Sequence, residues 1–138
     1  MLRLKKLFCI AFSIIIIALF YAIYTRPVLF DYSNKVTIYS KNCSFSNALY
    51  IVNRGEYFST DKIYGESAVI EGYSATEIFD LFSAEILKTE VVDDITCYYG
   101  YTSVLPYEID LFGEKVNIHV AVDGNKIILG TPLIFGSF

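Results

Sequence analysis

The sequence predicts an α+β protein, with an N-terminal transmembrane helix followed by an antiparallel sheet on which one main helix packs. Three observations carry that expectation. Leu7 to Thr25 is a run of nineteen residues without charge and almost wholly apolar. Ser74-Ala75-Thr76-Glu77 has the form of a helix capping box, in which the serine oxygen accepts the N3 amide while the glutamate reaches back. The chain beyond Phe82 changes to short segments of period-two alternation separated by turn residues, the signature of strands in a sheet with one buried face.

In a helix rising about 1.5 Å per residue, the first run reaches roughly 28 Å, close to the hydrocarbon thickness of a bilayer. Arg3, Lys5 and Lys6 precede it and Arg26-Pro27 follow. The heavier positive cluster is expected on the cytoplasmic side, leaving the rest of the chain outside the cell membrane. A cleaved secretory signal is the alternative, with the protein then secreted. The stretch Ala18-Leu19-Phe20-Tyr21-Ala22-Ile23-Tyr24 puts bulky side chains where signal peptidase needs a small pair, so an uncleaved single-pass anchor is the favoured expectation. The expected division is residues 1–26 as cytoplasmic tip and anchor, 27–34 as linker, and 35–138 as one extracytoplasmic domain, since that length supports a single core.

Within the domain, Lys35 to Lys41 alternates and reads as the first strand. Ala48 to Val52 and Glu56 to Tyr64, around Asn53-Arg54-Gly55, read as a hairpin; a short helix from Ser44 to Val52 competes, because Phe45, Ala48, Leu49 and Val52 share a helical face. The capping box then opens a helix whose stripe is Ala75, Ile78, Leu81 and Phe82. Strands are expected at Glu85 to Val92, Ile95 to Thr102, Tyr107 to Phe112, Lys115 to Val122 and Lys126 to Leu133. Asp93-Asp94, Phe112-Gly113-Glu114 and Asp123-Gly124-Asn125 supply the turns, the last with the Asp-Gly pair that favours tight hairpins. In Lys115 to Val122 the alternation assigns Val116, Ile118, Val120 and Val122 to one face and Asn117, His119 and Ala121 to the other. The apolar end, through Leu133 to Phe135, is expected to fold back on the domain after Gly130 and Pro132 end the ladder.

The chain of 138 residues has a net charge of −4. Four of its eleven basic residues and none of its fifteen acidic ones lie in the first 26 positions, so the remainder carries a net −8. Such a surface is repelled by phosphate backbones, which excludes nucleic acid as an expected partner. Cys43 and Cys97 lie outside the anchor; if joined they would close a loop of about 55 residues and stabilise the fold by roughly 4 kcal/mol, and two buried free thiols are the other reading. Asn42-Cys43-Ser44 matches a glycosylation sequon, which has meaning only in a eukaryotic secretory pathway.

No HExxH, GxSxG, Ser-x-x-Lys or Walker pattern occurs, so no catalytic, cofactor-binding or metal-binding residues are expected. Asp93 and Asp94 lack the spacing of a calcium loop and read as a solvated turn. His119 is the one histidine; it reads as structural or surface, with pH sensing open to it through its near-neutral pKa. Tyr99 and Tyr101 share a strand face in Cys97-Tyr98-Tyr99-Gly100-Tyr101. Tyrosines suit adhesive surfaces, and Tyr99, Tyr101, Asn117 and His119 form the candidate partner-binding face.

The segment from Tyr73 to Phe138 resembles YwmB-type proteins of Gram-positive spore formers. The resemblance rests on Tyr99-Gly100-Tyr101-Thr102-Ser103, Val116-Asn117-Ile118-His119-Val120-Ala121 and Gly130-Thr131-Pro132-Leu133-Ile134. It implies a secreted or membrane-anchored domain with a curved antiparallel sheet similar to that of the TATA-box-binding protein, and it implies no catalytic residue. Fold does not carry function. The functional expectation is therefore a non-enzymatic binding module of the cell envelope, meeting an envelope protein or a cell-wall partner; the alternative is a cell-wall-acting enzyme or a regulator of one, which would need two convergent carboxyl groups.

Overall fold

The computed structural model describes residues 1–33, 35–40, 50–52, 55–111 and 113–135. Helix α1 spans Leu2–Tyr24. Its stretch Leu4–Tyr24 is long and apolar enough to cross a membrane, a property that anchors and signal sequences share. The helix runs directly into β1, Thr25–Pro27. It is followed by β2, Val36–Ser40, β3, Tyr50–Val52, β4, Glu56–Phe58, and β5, Ile63–Glu71. Helix α2, Ala75–Leu81, precedes β6, Glu85–Val92, and β7, Ile95–Tyr101. The chain closes with β8, Ile109–Leu111, β9, Glu114–Val116, β10, Ile118–Asp123, and β11, Lys126–Thr131.

Seven strands form one sheet in the order β3-β2-β5-β11-β10-β7-β6, and every pairing in it is antiparallel. The predicted α+β class is the observed one. Helix α2 opens as the capping box requires, with the Glu77 amide donating to Ser74 Oγ at 3.2 Å and the Ser74 amide to the Glu77 carboxylate at 2.7 Å. Its Ile78 and Phe79 are buried against the inner sheet face with Ile38, Ala68, Ile118, Val120, Ile127 and Leu129. Gly100 permits that approach: a Cβ there would collide with the Phe79 ring and the Glu85 carbonyl.

Residues 27–33 of the expected linker pack on the domain rather than connecting openly. Val28 and Phe30 belong to the main core, Phe30 fully buried and edge-on to Phe82 at 5.6 Å. Ser33, also buried, donates from its hydroxyl to the Lys35 and Val69 carbonyls. Burial of an aromatic ring outweighs the polar composition of Asp31, Ser33 and Asn34, which suggested an open connection.

β2 falls where the first strand was expected, whereas the strands that follow it up to Glu71 differ from expectation. β3 pairs with β2, and β4 pairs with β1, so among the described residues Tyr50–Val52 and Glu56–Phe58 do not form the expected hairpin. The competing helix from Ser44 to Val52 lies outside the described residues up to position 49, and Tyr50–Val52 is strand. β5 extends to Glu71, seven residues beyond Tyr64, and is a central strand between β2 and β11. Its inward residues Glu66, Ala68 and Ile70 include a carboxyl group, and that charge obscured the apolar alternation.

The outer face of the sheet is covered as well. Cys97, Tyr99, Val116, Ala121 and Ile128 form a second buried cluster, against which Leu111, Leu133 and Ile134 pack. Val116 therefore sits on the face opposite Ile118 and Val120. The ladder breaks at Asn117, and the interruption resets the period-two phase. As expected, the chain folds back after Thr131: Leu133 and Ile134 lie on the outer cluster, and Phe135 meets Tyr39 edge-on at 5.2 Å.

Candidate functional site

Three polar places stand out. The first is the predicted binding face. Only Tyr101 is open there, 37% exposed, while Tyr99 is 9%, His119 5% and Asn117 1% exposed. The face is covered because Gly130, opposite His119 in the β10–β11 register, lets the C-terminal segment cross directly above it. The Ile134 amide then donates to His119 Nδ1 at 3.2 Å. Tyr99 stacks on the imidazole at 4.5 Å between ring centroids, and its hydroxyl donates to Glu90 at 2.6 Å. Lys88 completes the row, 3.3 Å from the Glu90 carboxylate.

Asn117 is a clamp rather than a contact residue. Its side-chain amide donates to the Thr102 and Leu105 carbonyls at 2.6 and 3.2 Å, and its Oδ1 accepts the Thr102 amide at 2.8 Å. Thr102 in turn donates from Oγ1 to the Phe82 carbonyl at 2.6 Å. The strand break at Asn117 thus secures the loop after β7 to the end of α2.

Protonation on this face runs against nucleophilic chemistry. Burial lowers His119 to about 4, with Glu90 opposing the shift, so the ring is neutral at pH 7. Burial raises the Cys97 thiol, helped by Glu90. A reactive cysteine needs a lowered thiol pKa, commonly from a charged histidine; here both groups move the other way. Cys97 is a buried free thiol. Its bridging partner considered above, Cys43, lies outside the described residues.

The second place is internal. Glu66 is fully buried, opposite Thr131 and Ile38 in the sheet register. Its Oε2 accepts the Leu29 amide at 2.9 Å, and the Phe30 amide also donates to the carboxylate. Tyr57 and Tyr107 lie near it, hydrogen-bonded to each other, and Tyr107 is in turn hydrogen-bonded to Arg26. Burial raises Glu66 to about 7, against the pull of the two backbone amides. This carboxyl group ties the segment following β1 to the centre of the sheet. The sequence signal for it was a glutamate in phase with Ala68 and Ile70.

The third place is open. A groove of about 910 Å³ lies between the start of α2, the end of β5 and the β10–β11 turn, lined among others by Glu71, Tyr73, Ser74, Tyr98, Asp123 and Lys126. β5 leads away from the β1–β4 pair that receives α1, and Glu71 stands roughly 26 Å along the strand from Ile63. Lys126 faces Glu71 on β5 and Asp123 on β10 in the sheet register, so both charges meet at the mouth. Sequence reasoning missed it because its walls come from three separated segments.

Among the described residues, no group of three or more His, Cys, Asp or Glu side chains could hold a metal ion. Fold and site together define an α+β domain, with a buried cluster on each sheet face and a groove at one end, that follows an apolar helix of membrane-spanning length. No family model matches the chain, and no curated protein or solved structure matches it.

Proposed function

We propose that this chain is a single-pass membrane protein whose domain stands outside the cytoplasmic membrane and acts as a non-enzymatic binding module of the cell envelope. The reading rests chiefly on the open groove at the end of the domain away from α1. Tyrosine rings with carboxylates, a lysine and Asn125 around one cleft suit contact with an envelope protein or a cell-wall polymer, because aromatic side chains supply area and the polar groups supply direction. An uncleaved anchor is supported by the way α1 joins the domain: the Ser59 amide donates to the Tyr24 carbonyl at 3.0 Å, and Phe20 and Tyr24 both contact Phe58. The basic cluster before α1 supports a cytoplasmic N-terminus.

The enzymatic alternative has less support. Glu66 has the raised pKa of a general acid, but it is fully buried, and the groups that shift it are burial and two backbone amides, with no carboxyl group among them. The YwmB-like assignment stays a proposal beside this one, carried by the sequence segments that end in Gly130-Thr131-Pro132.

Two measurements test the reading. Protease added to intact spheroplasts should digest the chain after Pro27; protection of that region would remove the outside placement. A photo-crosslinker at Tyr73 should capture an envelope partner that the same probe at Val104, an exposed position outside the groove lining, does not capture. Equal capture at both positions, or none at Tyr73, would remove the groove as the binding site.

A further inference from the structure

We propose that β6 is a self-complementary edge, through which two copies of this chain join into one continuous antiparallel sheet. Among the described residues β6 pairs with β7 alone and ends the seven-stranded sheet. At eight residues it is long for an edge strand, and a free edge presents unpaired amides and carbonyls as a template for another strand. Apolar side chains sit along it in the open: Ile86 is 41%, Val92 49% and Val91 67% exposed.

The order of charges in Glu85-Ile86-Leu87-Lys88-Thr89-Glu90-Val91-Val92 selects both the partner and the register. In a two-fold antiparallel pair lying in the sheet plane, the axis passes between one residue and its own copy. An axis at Lys88 would set lysine against lysine, and an axis at Glu90 would set glutamate against glutamate. Centring on Leu87 would put the register shift between Ile86 and Lys88 at the axis; centring on Val91 would draw the Asp93-Asp94 turn into the ladder. With the axis at Thr89, each Lys88 faces the Glu90 of the other copy and Thr89 faces Thr89, and the bulge between Ile86 and Lys88 ends the regular pairing beyond them.

Opposite charges and threonine pairs are favourable cross-strand neighbours. Lys88 and Glu90 lie on one sheet face, opposite Tyr99 and Cys97 in the β7 register, so the two interchain ion pairs form on that same face. They replace the Lys88–Glu90 contact made within the strand at 3.3 Å. The bulge after Ile86 limits the regular ladder to a few residues, which alone makes a weak dimer. Two chains held by α1 in one bilayer meet at a raised effective concentration, which favours such a weak contact.

The test uses the full chain in native membranes, carrying Cys9→Ser and Cys43→Ser. Thr89→Cys places a thiol on the axis, where paired residues bring Cα atoms within disulfide reach, and mild oxidation should give a reducible dimer. Lys126→Cys, exposed at the far end of β11, should give at least tenfold less. Lys88→Glu added to Thr89→Cys should cut the dimer at least fivefold, and adding Glu90→Lys to that variant should restore it. Equal crosslinking at Thr89 and Lys126 would assign any association to α1 and overturn the proposal, as would a dimer yield unchanged by Lys88→Glu.

Discussion

His119 lies flat against Tyr99, with ring planes 18° apart and centroids separated by 4.5 Å, under a C-terminal segment whose Ile134 amide donates to the imidazole. A surface strand histidine thereby becomes a packing element, and the acceptor role of Nδ1 favours the tautomer protonated at Nε2. His119→Phe keeps a flat ring over Tyr99 but removes the acceptor. It should cost about 1–2 kcal/mol, the penalty of leaving a sheltered amide unsatisfied. Urea unfolding of the full chain in detergent micelles measures this, and an unchanged midpoint would show that the C-terminal segment does not depend on the imidazole.

Glu66 and His119 make opposite contributions to stability across one pH window. Glu66 is raised to about 7 by burial, so the folded state binds its proton more tightly than the unfolded chain. Its contribution is fully present below the unfolded value near 4.5 and is lost as pH rises through 7. His119 is lowered to about 4 by burial; its contribution is fully present above its unfolded value near 6.5 and is lost as pH falls toward 4. Each limb is on the order of 3 kcal/mol, and they offset between pH 4.5 and 6.5. Relative to the parent chain, Glu66→Gln should gain stability as pH rises from 4.5 to 7, and His119→Phe should gain as pH falls from 6.5 to 4. Chemical-denaturation midpoints at half-unit pH steps give both differences, and parallel curves for parent and variants would refute the linkage.

Asn117 satisfies three backbone groups with one side chain. Asn117→Ala leaves the Thr102 amide and two carbonyls without that partner in a buried site, and should destabilise the domain by about 3 kcal/mol. Asn117→Asp should be at least as damaging, because a carboxylate turned toward the Thr102 and Leu105 carbonyls repels them. Hydrogen exchange at Thr102 provides the local readout: its amide should lose protection in both variants, and retained protection would mean the loop is held by other contacts.

What the sequence disclosed was local. The Ser74–Glu77 cap, the β6–β7 turn at Asp93-Asp94 and the Asp123-Gly124 hairpin depend on neighbouring residues, and each lies where its chemistry places it. What it concealed was tertiary. Phe30 looked like part of a connection because no periodicity surrounds it, yet it fills the space beside Phe82. Val116 appeared in phase with Ile118 until the break at Asn117 separated them. Tyr99 and His119 stack on neighbouring strands, but their cover comes from residues beyond Thr131 and from the β8–β9 hairpin, and Asn117 turns instead to the Thr102 and Leu105 backbone. The groove has no local signature, because Glu71, Ser74 and Asp123 meet only after three segments have folded.

Phe30 supplies the sharpest test of where the folded domain begins. In a linker, Phe30→Ala would leave stability unchanged. In the structure the ring is fully buried, edge-on to Phe82, and adjoins the backbone amides that hold Glu66. Its removal should therefore cost about 3–5 kcal/mol through lost burial and the cavity left behind. Leu29 is only partly buried beside it, so Leu29→Ala should cost less. Thermal unfolding of both variants with the parent chain decides the point, and a Phe30→Ala midpoint equal to the parent would return residues 27–34 to the linker.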